Sequence, residues 1–263
     1  MTDEYDLDSG PDPATYAAAS PETAAIGADE PVFVIGIGPG NPDYLTPRGR
    51  KALEDADIVV GFSTVVEFIE PYTDADLLTC GYRDEQETLA KFAEQVAAGK
   101  RGVAVAMGDP NHSGYQFVGK VQQVVQQADS DRSVRVIPGI SSLQVAASRA
   151  RTPMEETEFV TLHKSGDLTD DLARLDAAVD KRHLLVLPRP YDMMPGDIAA
   201  RLLDAGGSPT AEALVLEKLT HDDEHIHEYT LAELAEHAGG DSADDTPFSD
   251  LIVLAVRTEV PEE

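Results

Sequence analysis

Three strand-like runs in this chain end alike. VFVIGIGPG (residues 32–40), VAVAMGDP (103–110) and VRVIPG (134–139) each pass straight into a loop of glycine and proline. A run that is apolar on both faces suits a central parallel strand covered by helices on either side. Helical patterns lie between the runs. TPRGRKALEDA (46–56) offers Thr46 as an N-cap with Pro47 in the first turn and Leu53 and Ala56 on an inner face. DEQETLAKFAEQVAAGK (84–100) is amphipathic and stops at Gly99, and YQFVGKVQQVVQQA (115–128) and SSLQVAASRA (141–150) follow. DIVVG (57–61) supplies one more strand. Strand and helix in alternation predict a parallel sheet covered by helices.

A second set begins after RTPMEE (151–156). Its strands are EFVTLHK (158–164), HLLVLPR (183–189), EALVLEKL (212–219), EHIHEYT (224–230) and DLIVLAV (250–256). Its helices are DLTDDLARLDAAV (167–179), PGDIAARLLDAGG (195–207) and TLAELAEHAG (230–239), the last opened by a Thr230–Glu233 capping box. GGDSADDTP (239–247) reads as an exposed acidic loop. The expected architecture is therefore two α/β domains, 31–145 and 146–263, with no internal repeat. Residues 1–30 hold eight acids, no Lys or Arg and few large apolar side chains, and read as a disordered leader.

The chain has 49 acidic and 20 basic residues, a formal net charge of −29. The leader holds only eight of those acids, so the remainder is still about twice as acidic as basic. Such a surface disfavours nucleic acid and anionic membranes. It suits high salt, where dense carboxylates keep a protein hydrated while ions screen their repulsion. The single cysteine, Cys80, rules out an intrachain disulfide and a thiolate metal cluster. No apolar run reaches membrane-spanning length, and no basic segment with an apolar stretch opens the chain. The expected setting is the cytoplasm.

The first loop is not a dinucleotide cradle. Its glycines, Gly36, Gly38 and Gly40, are spaced G-x-G-x-G, and Asn41 stands where the third fingerprint glycine belongs. Pro39 and Pro42 remove two backbone donors. The helix starts only near Thr46, too late to aim its N-terminus at a phosphate held by the glycines. No acid ends the next strand to hold a ribose. On its own the run could be mere turn chemistry. Yet three strands of one sheet end in such loops, and in an open α/β sheet those ends share the ligand-binding edge. None of the loops carries Lys or Arg. Backbone groups, the Ser141 and Ser142 hydroxyls and the Asp109 carboxylate suit a nucleoside without phosphates, such as S-adenosylmethionine.

The motifs GIGPGNPDYLT, GDP and PGISS, in this order and spacing, resemble the tetrapyrrole methylases over residues 32 to about 257. Within that family, PGISSLQ, TLHKSGD, PGDIAARLL and LEKL…EHIHEYTLAEL look most like the branch that methylates C5 of a cobalt-precorrin. Two segments depart from its usual form: GDPNHSG is more polar, and LHKSGD carries Lys164 where glycine is common. The resemblance implies a class III methyltransferase fold, with the cofactor in a cleft between the two domains, and a homodimer. It implies S-adenosylmethionine contacts from Pro39, Gly108, Asp109, His112, Ser141 and Ser142, and from Leu187 and Leu219 of the second domain. Asp109 beside Pro110 also reads as a simple Asx turn.

Methyl transfer from a sulfonium needs little side-chain chemistry, because positioning supplies most of the catalysis. His163 is the candidate base, since imidazole titrates near neutral pH; a strand-end histidine held only by hydrogen bonds is the plainer reading. The implied substrate is a polyanionic cobalt-corrinoid precursor, and Arg83, Lys164 and Arg189 are the cations proposed to receive it. Each could equally sit in a surface ion pair. His221, His225 and His227 read as polar surface histidines rather than metal ligands, and Cys80 as a core residue. Competing readings are another ring position (C17, C11 or a uroporphyrinogen step), a nicotinamide oxidoreductase, or a non-enzymatic nucleoside-binding module.

Overall fold

The computed structural model describes residues 31–112, 114–164, 166–240 and 242–258. The expected leader, 1–30, lies outside them. The chain divides into two compact units after Ser141. The boundary expected at 145 falls inside a helix that joins the second unit from its first residue, Ser142.

In the first unit, strands β1 (Val32–Gly36), β2 (Ile58–Phe62), β3 (Asp76–Cys80), β4 (Gly102–Ala106) and β5 (Val134–Ile137) form one sheet in the order β3-β2-β4-β1-β5. Every pairing is parallel. Helices α1 (Pro47–Glu54) and α2 (Ser63–Ile69) cover one face, where Leu53, Val66 and Ile69 bury against Ile35, Val59 and Val105. Helices α3 (Glu85–Ala97) and α4 (Tyr115–Ala128) cover the other, where Phe92, Val96, Val121 and Val125 pack on Val34, Val60 and Ala104. The chain thus leaves β1 toward one face and the adjacent β4 toward the other. That divergence is the topological switch point at which open α/β sheets bind ligands.

The elements start and stop for the expected reasons. Thr46 Oγ1 accepts from Gly49 N (3.1 Å) with Pro47 at the first position of α1. Gly99 takes φ +100° after α3. Two elements had no clear signature in the sequence. β3 is an edge strand whose exposed Asp76 and Thr79 break its apolar run. α2 has seven residues rich in β-branched side chains, a strand-like composition that burial of Val65, Val66 and Ile69 overrides.

The second unit is a mixed sheet, not a parallel one. Strands β6 (Thr157–Thr161), β7 (His183–Leu187), β8 (Glu212–Glu217), β9 (His225–Thr230) and β10 (Ile252–Arg257) lie in the order β6-β7-β10-β8-β9. β6 and β7 are parallel, while β10 runs antiparallel to β7 and β8, and β8 and β9 pair as antiparallel neighbours. The carboxyl ends of β6, β7 and β8 therefore share one edge. Helices α6 (Thr169–Ala178), α7 (Pro195–Asp204) and α8 (Leu231–Ala235) bury Leu175, Ile198, Leu202, Leu231 and Leu234 against Val160, Val186, Val215 and Leu254. Helix α5 (Ser142–Ala150) packs on β7 and β10. The Thr230–Glu233 capping box forms as its spacing predicts.

Candidate functional site

At the switch point of the first sheet three backbones meet without side chains between them. Gly38 and Gly108 form an isolated bridge that joins the β1 and β4 loops, with Gly108 N donating to Gly38 O (2.9 Å) and Gly38 N to Gly108 O (3.3 Å). A Cβ on Gly36 would stand 2.4 Å from Gly108 O and 2.6 Å from Gly139 N. One on Gly139 would stand 2.1 Å from Gly108 O and 2.8 Å from the Gly36 Cα. The three loops are thus one unit, and only glycine fits at its centre. Gly38, Gly40 and Gly108 also take positive φ, at +88°, +129° and +62°.

Asp109 staples this unit. Its Oδ1 accepts from Asn111 N (2.8 Å), the anticipated Asx turn, and its Oδ2 accepts from Gly139 N (3.1 Å) in the β5 loop. The buried carboxylate thereby holds two loops together. A carboxylate has about four lone-pair sites, so capacity for a ligand donor remains. Ser141 is buried beside this junction, Pro39 is half-buried and His112 is exposed. Asn41 Oδ1 accepts from Asp43 N and opens a short turn, Pro42–Tyr44, so the first loop closes on itself before α1 begins. The donor set is backbone, hydroxyl and carboxylate, with no cation in any of the three loops. It fits a cationic, phosphate-free nucleoside such as S-adenosylmethionine and not a pyrophosphate.

In the second unit, three of the singled-out residues share the edge where β6, β7 and β8 end. Leu162 N donates to Leu187 O (2.8 Å), so His163 follows β6 beside the end of β7. Burial pulls the His163 imidazole below its ordinary range, opposed by a ring N–H donated to the Pro188 carbonyl and by the Asp250 charge. Its neutral form therefore dominates at neutral pH, with the other ring nitrogen an acceptor. Leu187 is half-buried and Leu219, just past β8, is 5% exposed. Ser142 begins α5.

The proposed substrate cations are partly engaged. Lys164 Nζ pairs with Asp171 at 2.6 Å, and Arg189 pairs with Asp192 at 2.6 Å while also donating to Gly166 O (3.1 Å). Asp171 is buried, whereas the Arg189–Asp192 pair is partly exposed and contributes little energy. Arg83 is exposed in the loop after β3. The histidine group on β9 has a local role: His227 Nε2 meets Glu217 Oε2 at 2.6 Å and packs edge-on against His225 and Phe248. Cys80 is a core thiol, donating to Gly61 O (3.4 Å), with burial pushing its pKa up to about 12. Burial of this kind makes a thiol a poor nucleophile. Among the described residues, no group of three or more His, Cys, Asp or Glu could hold a metal, and no helix is long and apolar enough to cross a membrane.

The family described as Tetrapyrrole (Corrin/Porphyrin) Methylases matches residues 31–235. A probable cobalt-precorrin-7 C(5)-methyltransferase of Methanocaldococcus jannaschii is 30% identical over 211 residues, 80% of this chain and 92% of the relative. Among solved structures, a cobalt precorrin-4 methyltransferase of cobalamin biosynthesis superposes with a TM-score of 0.68 at 21% identity, covering 86% of this chain and 94% of that one. A uroporphyrin-III C-methyltransferase from Thermus thermophilus, complexed with S-adenosylhomocysteine, gives 0.63 at 21% identity over 86% and 96%. At that identity the two structures speak for the fold alone.

Proposed function

Because this chain belongs to the tetrapyrrole methylase family and is an S-adenosylmethionine-dependent C-methyltransferase, we propose that it methylates C5 of a cobalt-precorrin, cobalt-precorrin-7, in cobalamin biosynthesis. The observation carrying this choice of ring position is the near full-length similarity to the M. jannaschii C(5)-methyltransferase. The three-loop junction of the first unit supports the cofactor assignment, since it presents close-packed backbone, Asp109 and Ser141 with no phosphate-binding cation. The homodimeric state and a cytoplasmic location are part of the same reading, and sedimentation velocity and cell fractionation check them.

When bound, S-adenosylmethionine supplies a methyl group activated by its sulfonium. The protein's part is chiefly orientation, which contributes up to roughly 7–11 kcal/mol in favourable cases. Gly38, Gly108 and Gly139 let the backbone approach a nucleoside closely, and Pro39 stiffens the first turn. Ser141, Ser142, His112 and the remaining lone pairs of Asp109 are the polar groups that orient it; Leu187 and Leu219 are its apolar contacts. Lys164, Arg189 and Arg83 exchange their present partners for carboxylate arms of the substrate. His163 accepts, on the ring nitrogen not donated to Pro188, the proton that the methylated ring system loses.

The deciding assay is transfer of labelled methyl from S-adenosylmethionine to a series of cobalt-precorrins. Label should enter only the substrate awaiting its C5 methyl. Transfer at C11 or C17 instead would overturn the ring position, and no transfer to any tetrapyrrole would overturn the substrate class.

The base has its own pH signature. A histidine whose folded pKa is depressed stays neutral, and so competent as a base, until pH falls through that lowered value. The rate should thus be flat from pH 8 to about 6.5, the ordinary imidazole pKa, and fall only below it. His163→Gln should remove that acid limb and slow transfer by roughly 10²–10⁴-fold, the usual contribution of general-base catalysis. An unchanged profile in the variant would leave His163 a purely structural residue.

A further inference from the structure

Five non-glycine residues of the described chain have positive φ, and three of them follow the strands that end at one edge of the second sheet. Tyr191 (φ 69°) follows β7, and Lys218 (47°) and Thr220 (72°) follow β8. For threonine, β-branched, this backbone is a genuine outlier. Lys218 and Thr220 flank Leu219 on both sides. Conformations of this kind persist only where the surroundings over-determine them, and they gather at ligand sites.

Here the surroundings do over-determine them. Glu217 accepts from Ser249 N (2.7 Å) and meets His227 (2.6 Å). Lys218 N donates to Leu251 O (2.8 Å), and its Nζ pairs with Asp223 at 2.5 Å. His221 N donates back to Lys218 O (3.0 Å). The most economical link is Glu224. Its Oε2 accepts from Thr220 N (2.6 Å), and its Oε1 accepts from Arg149 Nε (2.7 Å). Arg149 lies in the last turn of α5, the helix that Ser142 begins. The Glu224 carboxylate is only 22% exposed and bridges that helix to the turn. Arg149 holds it in the ionised state, below the usual carboxylate range.

We propose that Glu224 is a positioning residue for the cofactor: by bridging Arg149 and the Thr220 N–H it holds the left-handed Lys218–Thr220 turn, and sets Leu219 in register with α5 and Ser142. This rests on the reading of Leu219 and Ser142 as cofactor contacts. Without the bridge, Lys218 and Thr220 relax toward negative φ, and only a fraction of molecules keep Leu219 in place. Apparent affinity falls by that fraction.

The test is calorimetric binding of S-adenosylhomocysteine to the full chain, with methyl-transfer kinetics and circular dichroism to confirm folding. Glu224→Ala should weaken binding and raise the KM for S-adenosylmethionine roughly tenfold, a competent fraction of about one in ten, while kcat at saturating cofactor changes little. Adding Thr220→Gly, which takes positive φ at no steric cost, should recover most of the loss. Arg149→Met, which leaves the Glu224–Thr220 bond in place, should give a smaller KM effect. If Leu219→Ala weakens binding but Glu224→Ala does not, the positioning role is wrong and the cofactor reading stands. If Leu219→Ala is silent, the cofactor reading of this edge fails and the inference with it. A fall in kcat with KM unchanged, or no rescue by Thr220→Gly, would also overturn it.

Discussion

Gly139→Ala is expected to abolish S-adenosylhomocysteine binding and methyl transfer. The added Cβ would stand 2.1 Å from Gly108 O and 2.8 Å from two backbone atoms of Gly36. All are main-chain atoms, so no side chain can rotate away to relieve the clash. Inserting one methyl group into a packed site costs about 1–3 kcal/mol, sometimes more, and this site belongs at the upper end. The chain's cheapest response is to part the β5 loop from the β4 loop. That breaks the Gly139 N–Asp109 bond (3.1 Å) and spreads the junction on which the cofactor assignment depends. Gly99→Ala is the control. Nothing lies within 4 Å of its Cβ, and only its φ of +100° is at stake, so it should lower stability by about 1–2 kcal/mol and leave binding intact. Calorimetry and thermal melting of both variants check the contrast. Wild-type affinity in Gly139→Ala would move the ligand away from the three-loop edge.

The second large effect is expected from salt. Lowering KCl from molar to tens of millimolar should drop the melting temperature by roughly ten degrees, the shift that a few kcal/mol produces in a chain of this size. Even if each of the 20 Lys and Arg residues paired with one acid, 29 carboxylates would have no basic partner. The ion pairs in the structure include Lys51–Asp55 and Lys91–Glu87, with both side chains largely solvent-accessible, and the partly exposed Arg101–Asp57. Pairs of that kind contribute little. The unpaired acids instead repel over a range that grows from about 3 Å at 1 M salt to about 30 Å at 0.01 M. Screening weakens the pairs too, but with this excess repulsion dominates. A melting temperature constant across the range would argue against high-salt adaptation.

Much of the three-loop edge proposed for the cofactor was legible in the residues themselves. Apolar strands running into glycine and proline, a proline-broken first loop and the absence of Lys or Arg are local facts of composition. They already argue against a phosphate cradle, because the prolines remove backbone donors, the helix starts late and no cation is at hand to meet a phosphate's charge. Thr46, Gly99 and the Thr230–Glu233 box also did locally what their spacing predicts, since capping is satisfied within one turn of chain. The family resemblance rests on the same local motifs.

What the sequence could not decide were the pairings between distant segments. Nothing near Asp109 announces that its second oxygen is taken by Gly139, 30 residues away. Nor does PG at 138–139 reveal that Gly139 stacks on Gly36 and Gly108 rather than merely turning the chain. The mixed order of the second sheet, the edge strand β3 and the short helix α2 likewise depend on what each segment packs against, which local propensity does not encode. The left-handed Lys218 and Thr220 show this most plainly. Their residue types argue against that backbone; Glu224 follows within a few residues, but Leu251, which accepts from Lys218 N, and Arg149, which grips Glu224, come from distant segments.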